Sequence, residues 1–266
     1  MRVVLAALLS LSSAVQGAEL RLELGEHSRI WSSTQLLAHP QARHIEINED
    51  VSYKRSMSYR AVPLAALLDG VQPGDHLQAL ALDGFAAELP AAALLNQSGA
   101  QAWLAVEDPA LPWPPLAPGK HSAGPFYLVW QNPAASHIGP EQWPFQVVRI
   151  RKLAAVAERF PQLLPAADAP AQVHAGLLQY QKHCMACHRL NTAGDSQFGP
   201  DLNVPHNPTE YFAAGFLPIY IRNPQHLRRW PQGRMPGFAE TLLSNAELAQ
   251  LLDYLRHMSG RKVPGG

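Results

Sequence analysis

Both cysteines of this 266-residue chain stand in one pentapeptide, Cys184-Met185-Ala186-Cys187-His188. A chain with two cysteines is not a disulfide-dense scaffold, so its fold must rest on apolar burial. The composition allows that: 47% of the residues are hydrophobic and 16% are charged, too apolar a mixture for a disordered chain. The length accommodates two domains. Lys+Arg and Asp+Glu balance at 21 each, which excludes the basic surplus of a nucleic-acid binder.

Two thiols one helical turn apart can form thioethers to the two vinyl groups on one edge of a porphyrin. The imidazole of the next residue then lies under the ring, with Nε2 free for the iron. CxxCH is for that reason the attachment signature of a c-type haem, and it implies one covalently bound haem c on Cys184, Cys187 and His188. Three other chemistries use paired cysteines. A redox CxxC opens a helix after a strand, whereas this one closes a helical stretch. A structural zinc site needs four ligands, and the motif offers two thiols and one histidine. A plain disulfide would leave His188 without a role.

The rest of the chain divides around this motif. Residues 1–17 combine Met1-Arg2, the apolar run Val3-Val4-Leu5-Ala6-Ala7-Leu8-Leu9 and small residues up to Gly17. They predict a secretory signal peptide and hence a periplasmic protein. No later run reaches the ~20 apolar residues of a bilayer span, so no membrane anchor is expected. Residues 18–152 predict an α+β, mostly β domain. Its expected strands are 44–47, 79–82, 85–89, 103–106, 126–130 and 145–150, with a hairpin turn at Asp83-Gly84. Short helices at 63–68 and 90–95 open on prolines, and the proline-dense segment 109–118 reads as a surface loop. The Ala/Pro-rich residues 153–172 read as a linker. Residues 173–262 predict an all-α domain with helices at 173–183, 208–214, 218–221 and 244–258. The last carries a capping box, Ser244 with Glu247, ahead of the stripe Leu248, Leu251, Leu252 and Leu255.

Several motifs in this second half agree in order with one family. Gly176, Tyr180 and the run Tyr180-Gln181-Lys182-His183-Cys184-Met185-Ala186-Cys187-His188 resemble the first helix of class I cytochromes c. Gly199-Pro200-Asp201-Leu202 is similar to that family's loop whose proline carbonyl receives the Nδ1–H of the proximal histidine. Arg234-Met235-Pro236-Gly237-Phe238 resembles the sixth-ligand loop, and Asp253-Tyr254-Leu255 the closing helix. The resemblance covers about residues 171–258. It implies a cytochrome c fold in which His188 and Met235 ligate the iron and Pro200 orients His188. Met235 stands in a Pro/Gly-bounded loop, whereas Met1, Met57, Met185 and Met258 read as leader or core filler. His206, His226 and His257 are the competing ligands. A His/Met pair closes the iron and raises its potential, which favours single-electron transfer over substrate chemistry.

The first half has a weaker likeness. Arg60-Ala61-Val62-Pro63-Leu64-Ala65-Ala66-Leu67-Leu68, Asp83-Gly84-Phe85 and Gly124-Pro125-Phe126-Tyr127-Leu128-Val129-Trp130 resemble the molybdopterin-binding domain of the sulfite oxidase superfamily. That family holds molybdenum through a cysteine thiolate. Here both cysteines belong to the CxxCH motif, which implies a cofactor-free domain used for partner recognition. Tyr127, Trp130 and Trp230 are candidates for a domain interface, His121, His137 and Trp143 for a cleft, and Tyr53-Lys54-Arg55 with Arg60 for an anion site.

Charge is unevenly shared: residues 18–166 carry −3 and residues 167–266 carry +2. Arg222, Arg228, Arg229 and Arg234 gather just before Met235. They read either as compensation for haem propionates or as a docking patch for an acidic redox partner. The leading expectation is a periplasmic carrier of single electrons between redox proteins, the candidates being an acidic-surfaced partner or a periplasmic dehydrogenase. Its rivals are an oxidoreductase whose first domain feeds electrons to the haem, and a haem ligand sensor or peroxidase.

Overall fold

Alternating apolar residues and tight turns build the first half of the chain. The computed structural model describes residues 17–196 and 198–263; the expected signal peptide lies outside them except for its last residue. Among the described residues the strands are β1 (Glu19–Leu24), β2 (His27–Ser32), β3 (Arg43–Ile47), β4 (Met57–Pro63), β5 (His76–Ala81), β6 (Ala86–Pro90), β7 (Gln101–Val106), β8 (Phe126–Gln131) and β9 (Val147–Leu153). They form two sheets, ordered β2-β1-β9-β5-β6 and β3-β4-β7-β8. The pairing of β1 with β9 is parallel and the others are antiparallel. Parallel neighbours require a long connection, and here nearly the whole domain lies between the two strands. That pairing joins the domain's first strand to its last.

Local chemistry explains the turns. Gly84 takes a positive φ of 87° between β5 and β6, the conformation that the Asp-Gly signal requires. Helix α1 (Ser33–Leu37) begins with a capping box in which Ser32 Oγ accepts from Gln35 N at 3.1 Å. The two proline-opened helices are a 3-10 turn at Leu64–Leu67 and α2 (Ala91–Leu95), each with its proline at the N-cap. Loop 109–118 is ordered through Trp113, whose N–H donates to Glu107 Oε1 at 2.7 Å and whose ring meets Tyr59 edge-on at 4.8 Å. Leu20, Tyr59, Leu77, Trp103, Tyr127 and Trp130 from both sheets share one buried core.

The second half is helical: α3 (Val156–Arg159), α4 (Ala171–His183), α5 (Pro208–Tyr211), α6 (Phe216–Arg222), α7 (Pro224–Leu227) and α8 (Asn245–Ser259). No helix of the described residues is long and apolar enough to cross a membrane. The stretch 153–172 is a packed strap. It holds α3 and a 3-10 turn at Pro161–Leu163, buries Val156 and Leu163 in the helical core, and receives the Tyr254 hydroxyl at Leu163 O, 2.8 Å away. Helices α4 and α8 pack through Val173, Leu177 and Tyr180 against Leu251, Tyr254 and Leu255. Gly176 sits at their crossing: a Cβ there would lie 2.1 Å from Gln250 O and 2.5 Å from Tyr254 Cβ. Three buried asparagines then tie off the end of α8. Asn203 Nδ2 donates to Met258 O and Asn191 Oδ1, both at 2.7 Å, and Asn207 Nδ2 to Leu255 O at 2.9 Å and Asn203 Oδ1 at 2.8 Å.

Two expectations are corrected here. Tyr127 and Trp130 do not line a domain interface; at 0% and 1% exposure they fill the β-domain core, where β8 faces inward on both sides. Trp230 is 56% exposed. Nor do His121, His137 and Trp143 share a cleft. His121 lines an open cavity of about 490 Å³ with Asp83, Glu107 and Gln146, His137 is exposed, and Trp143 is buried against Tyr127.

Candidate haem-attachment site

The CxxCH segment leaves the end of α4 as a tight turn. Cys184 N donates to Tyr180 O at 2.9 Å, and His188 N to Cys184 O at 2.8 Å. Tyr180 is fully buried, and its hydroxyl donates to His188 O at 2.8 Å. One residue, through its backbone carbonyl at one end and its hydroxyl at the other, thus fixes both ends of the turn.

Residues 199–204 wrap the imidazole from the far side. Gly199 N donates to Cys187 O at 2.7 Å. A Cβ on Gly199 would stand 2.4 Å from His188 Cε1 and 2.6 Å from Nδ1, so glycine is required by contact with the ring. His188 Nδ1 lies 2.8 Å from Pro200 O. A carbonyl oxygen only accepts, so Nδ1 carries the proton and Nε2 keeps its lone pair. Burial pushes the imidazole below its ordinary pKa, against the opposing pull of the Pro200 bond. The outcome is a neutral, oriented ring, the form that ligates a metal. Asp201 anchors the loop by accepting from Thr192 N at 2.7 Å, Asn203 N at 2.8 Å and Val204 N at 2.9 Å. Asn191 and Thr192 hold positive φ beside it.

The thiols are free and partly buried. Burial, followed by the nearby Glu141 carboxylate, raises both; Cys187 is pushed up to about 12 and Cys184 also moves upward. A nucleophilic redox pair needs the opposite shift. Among the described residues no group of three His, Cys, Asp or Glu side chains is placed to hold a metal ion.

Met235 packs half-buried against the helical core. Its loop is sewn to α6: Phe238 N donates to Ile221 O at 3.1 Å, and Arg222 Nη1 donates to Phe238 O at 2.9 Å and to Leu243 O. Arg222 Nη2 adds a bond to Asn245 Oδ1 at 2.8 Å. Arg222 is therefore a clamp on backbone carbonyls, and it leaves the basic patch with Arg228, Arg229 and Arg234, all exposed. Of the competing histidines, His206 and His226 are exposed, and His257 Nε2 accepts from Ala166 N at 3.1 Å. Met57 lies in the β core, and Met185 and Met258 in the helical core.

The β domain meets the helical domain beside this site. Arg159 bridges Glu88 of β6 at 2.9 Å and Asp195 at 2.5 Å, while Gln78 Nε2 donates to Asp195 Oδ2 at 2.6 Å. Phe85 after the Asp83-Gly84 turn meets Phe198 edge-on at 6.4 Å. Glu141 approaches His183, the residue before Cys184, at 3.8 Å. Of these junction residues, Phe85 and His183 stand in runs that carry a family resemblance, whereas Gln78, Glu88, Glu141, Arg159, Asp195 and Phe198 stand in none.

The family model for cytochrome c matches residues 173–259. The solved structure of the sulfane dehydrogenase SoxCD from Paracoccus pantotrophus is similar at 20% identity with a TM-score of 0.37, over 56% of this chain and 42% of that one. This chain thus spans less than half of that structure's length. No curated protein matches the chain. Residues 173–259 are thus similar to a cytochrome c domain, and they follow a mostly β domain of two sheets.

Proposed function

We propose that the chain is a periplasmic electron carrier with a single haem c, exported by the leader at residues 1–17 and passing electrons between redox proteins. Cys184 and Cys187 hold the haem by thioethers, His188 Nε2 and Met235 Sδ ligate the iron, and Pro200 orients His188. The haem supplies a one-electron iron couple. The chain's residues supply the rest: a fixed neutral imidazole, a tied methionine loop and an apolar shell. The observation that carries this reading is the His188 ring, held at 2.8 Å by Pro200 O and flush against Gly199, one residue past two free thiols.

In this reading the β domain is a cofactor-free relative of the molybdopterin-binding fold. The two cysteines both lie in the CxxCH turn, so no thiolate remains for molybdenum. It serves as a recognition module for a partner such as a periplasmic dehydrogenase.

Arg228, Arg229 and Arg234 form an exposed cationic lip ahead of Met235, with Arg228 over the Trp230 ring at 5.1 Å and Arg234 over Phe198 at 5.5 Å. The partner it fits is acidic. Steering by such a patch raises encounter rates by about 10-fold or more and is weakened by salt. Stopped-flow oxidation of the reduced holoprotein by an acidic one-electron acceptor should therefore slow as ionic strength rises. Neutralising all three arginines to glutamine should cost about tenfold at low salt and little at high salt. A rate indifferent to both changes would remove the docking role.

A further inference from the structure

The loop that leads from the CxxCH turn to Pro200 is tied to the β domain at its middle. Asp195 Oδ2 accepts from Arg159 Nη1 at 2.5 Å and from Gln78 Nε2 at 2.6 Å. Gln78 on β5 is fully buried. Arg151, its cross-strand partner on β9, forks onto Gln78 Oε1 at 3.0 and 2.7 Å. With its oxygen so taken, the amide turns its NH2 group to two carboxylates, Asp195 and, at 2.7 Å, Glu88 Oε1. Arg159, at the end of α3, holds the same two acids. Its Nη2 reaches the Glu88 oxygens at 2.9 and 3.1 Å while Nη1 holds Asp195. The Glu88 and Arg159 side chains are only 5% and 14% exposed, so this clasp is desolvated, unlike an ordinary surface pair.

The tied loop is the one that holds His188. Four residues after Asp195, Gly199 lies flush against the imidazole, and the next residue's carbonyl receives Nδ1 at 2.8 Å. Between the two, Ser196 is fully buried and its hydroxyl accepts from Phe198 N at 3.3 Å. The Phe198 ring meets Phe85 of the β5–β6 turn edge-on at 6.4 Å and carries the Arg234 guanidinium at 5.5 Å. Arg234 precedes Met235, so Phe198 touches the β domain and the loops of both candidate ligands. Without Arg159, Glu88 and Asp195 would share one amide and repel each other in a poorly screened place. Glu88 is fixed in a strand, whereas Asp195 sits on a loop, so Asp195 is the group that would swing away.

We propose that the β domain is a working part of the haem site: Arg159 and Gln78 position Asp195, and through it the Gly199-Pro200 segment that orients His188. This rests on the haem reading of the CxxCH turn. Arg159, Gln78 and Asp195 touch neither His188 nor Met235, and they act as positioning residues. The bond from Nδ1 to Pro200 O makes His188 a more basic ligand, and a more basic ligand favours ferric over ferrous iron. Opening the clasp loosens the loop, weakens that bond and shifts the balance towards the ferrous form.

The test compares the wild-type holoprotein with Arg159→Gln, Asp195→Asn and the double variant. In an optical redox titration each single variant should raise the ferrous-to-ferric ratio at fixed poise by about threefold, less than the ~10–100-fold typical when the orienting partner of a ligating histidine is itself removed. The double variant should shift it no further than the larger single one, because both changes open the same clasp. Hydrogen exchange should quicken in the same variants at the Gly199 amide, which is bonded to Cys187 O at 2.7 Å. A clasp that served stability alone would lower the denaturation midpoint and leave both the ratio and the Gly199 exchange unchanged. That result overturns the proposal, as do single effects that add in full in the double variant. Asp195→Asn removes charge from a loop side chain that is 27% exposed and is the milder lesion. An unshifted ratio in that variant overturns the proposal even where Arg159→Gln does not fold. An unshifted ratio with covalent haem in place defeats this inference alone, whereas absence of covalent haem on Cys184 and Cys187 defeats the proposed function as well.

Discussion

Gly199→Ala should strip His188 of its orientation while leaving the fold intact. The new methyl group would begin 2.4 Å from Cε1 of the imidazole, well inside contact distance, and the ring is the movable partner. Any rotation that relieves the overlap breaks the 2.8 Å bond to Pro200 O. That bond is worth about 1 kcal/mol to stability, a small fraction of the roughly 5–15 kcal/mol of a typical domain. Its effect on the site is larger, because losing an orienting partner of a ligating histidine typically costs about 10–100-fold in the hold on the metal. The variant should therefore fold, keep its haem on Cys184 and Cys187, and show the reduced protein binding carbon monoxide or added imidazole at least about tenfold more readily than the wild type. An unchanged spectrum and unchanged ligand resistance would mean that the Gly199 contact does not position His188.

Gly176→Ala should act on stability. In an isolated helix alanine is preferred over glycine by about 1 kcal/mol. Here the added carbon would meet backbone, Gln250 O at 2.1 Å and Gln250 C at 2.7 Å, as well as Tyr254 Cβ at 2.5 Å. Backbone of α8 cannot rotate aside, so the two helices must part. Overpacking of this kind costs about 1–3 kcal/mol and at times more, and moving α8 also disturbs the Tyr180–Tyr254 contact, 5.8 Å between rings. The steric cost exceeds the propensity gain. Chemical denaturation of the holoprotein should show a net loss of about 2 kcal/mol or more, with Gly176→Leu worse. A variant as stable as the wild type would mean the helices can separate freely.

Both glycines show what a sequence can and cannot disclose. The CxxCH turn, the Asp83-Gly84 hairpin and the Ser244/Glu247 capping box are short-range signals, complete within five residues, and the structure contains each. The fold class followed from the wider strand and helix patterns around them and from the family resemblance of each half. Strands β1, β2 and β4 escaped notice for different reasons. β2 is largely exposed, so it lacks an apolar face to alternate. β1 does alternate, with Leu20, Leu22 and Leu24 between Glu19, Arg21 and Glu23, and only its parallel pairing with β9, Leu22 beside Ile150, lies beyond local reach. β4 sits behind the Lys54-Arg55 turn, and its Arg60 reaches back to Leu37 O at 3.3 Å, so that arginine is spent inside the domain. Tyr53 is likewise occupied, accepting from Ala123 N at 2.9 Å.

The site divides in the same way. His188, Pro200 and Met235 lie in recognisable local motifs. Arg222 looked like part of a surface patch because its position ahead of Met235 is visible in sequence, while its three acceptors, Phe238, Leu243 and Asn245, are not. Glu141 lies in no motif, and His183 lies in the run before Cys184 with no role assigned to it there. They are brought together by the packing of one domain on the other, which only coordinates reveal.

In the proposed function His188 and Met235 together close an iron held on Cys184 and Cys187. Its most direct test is the optical spectrum of the oxidised holoprotein, secreted from a host with haem-attachment machinery, beside Met235→Ala. The haem should stay with the denatured chain, and the wild type should show a weak far-red sulfur-to-iron charge-transfer band that vanishes in the variant. A wild type without that band, or a band that persists after Met235 is removed, would contradict it.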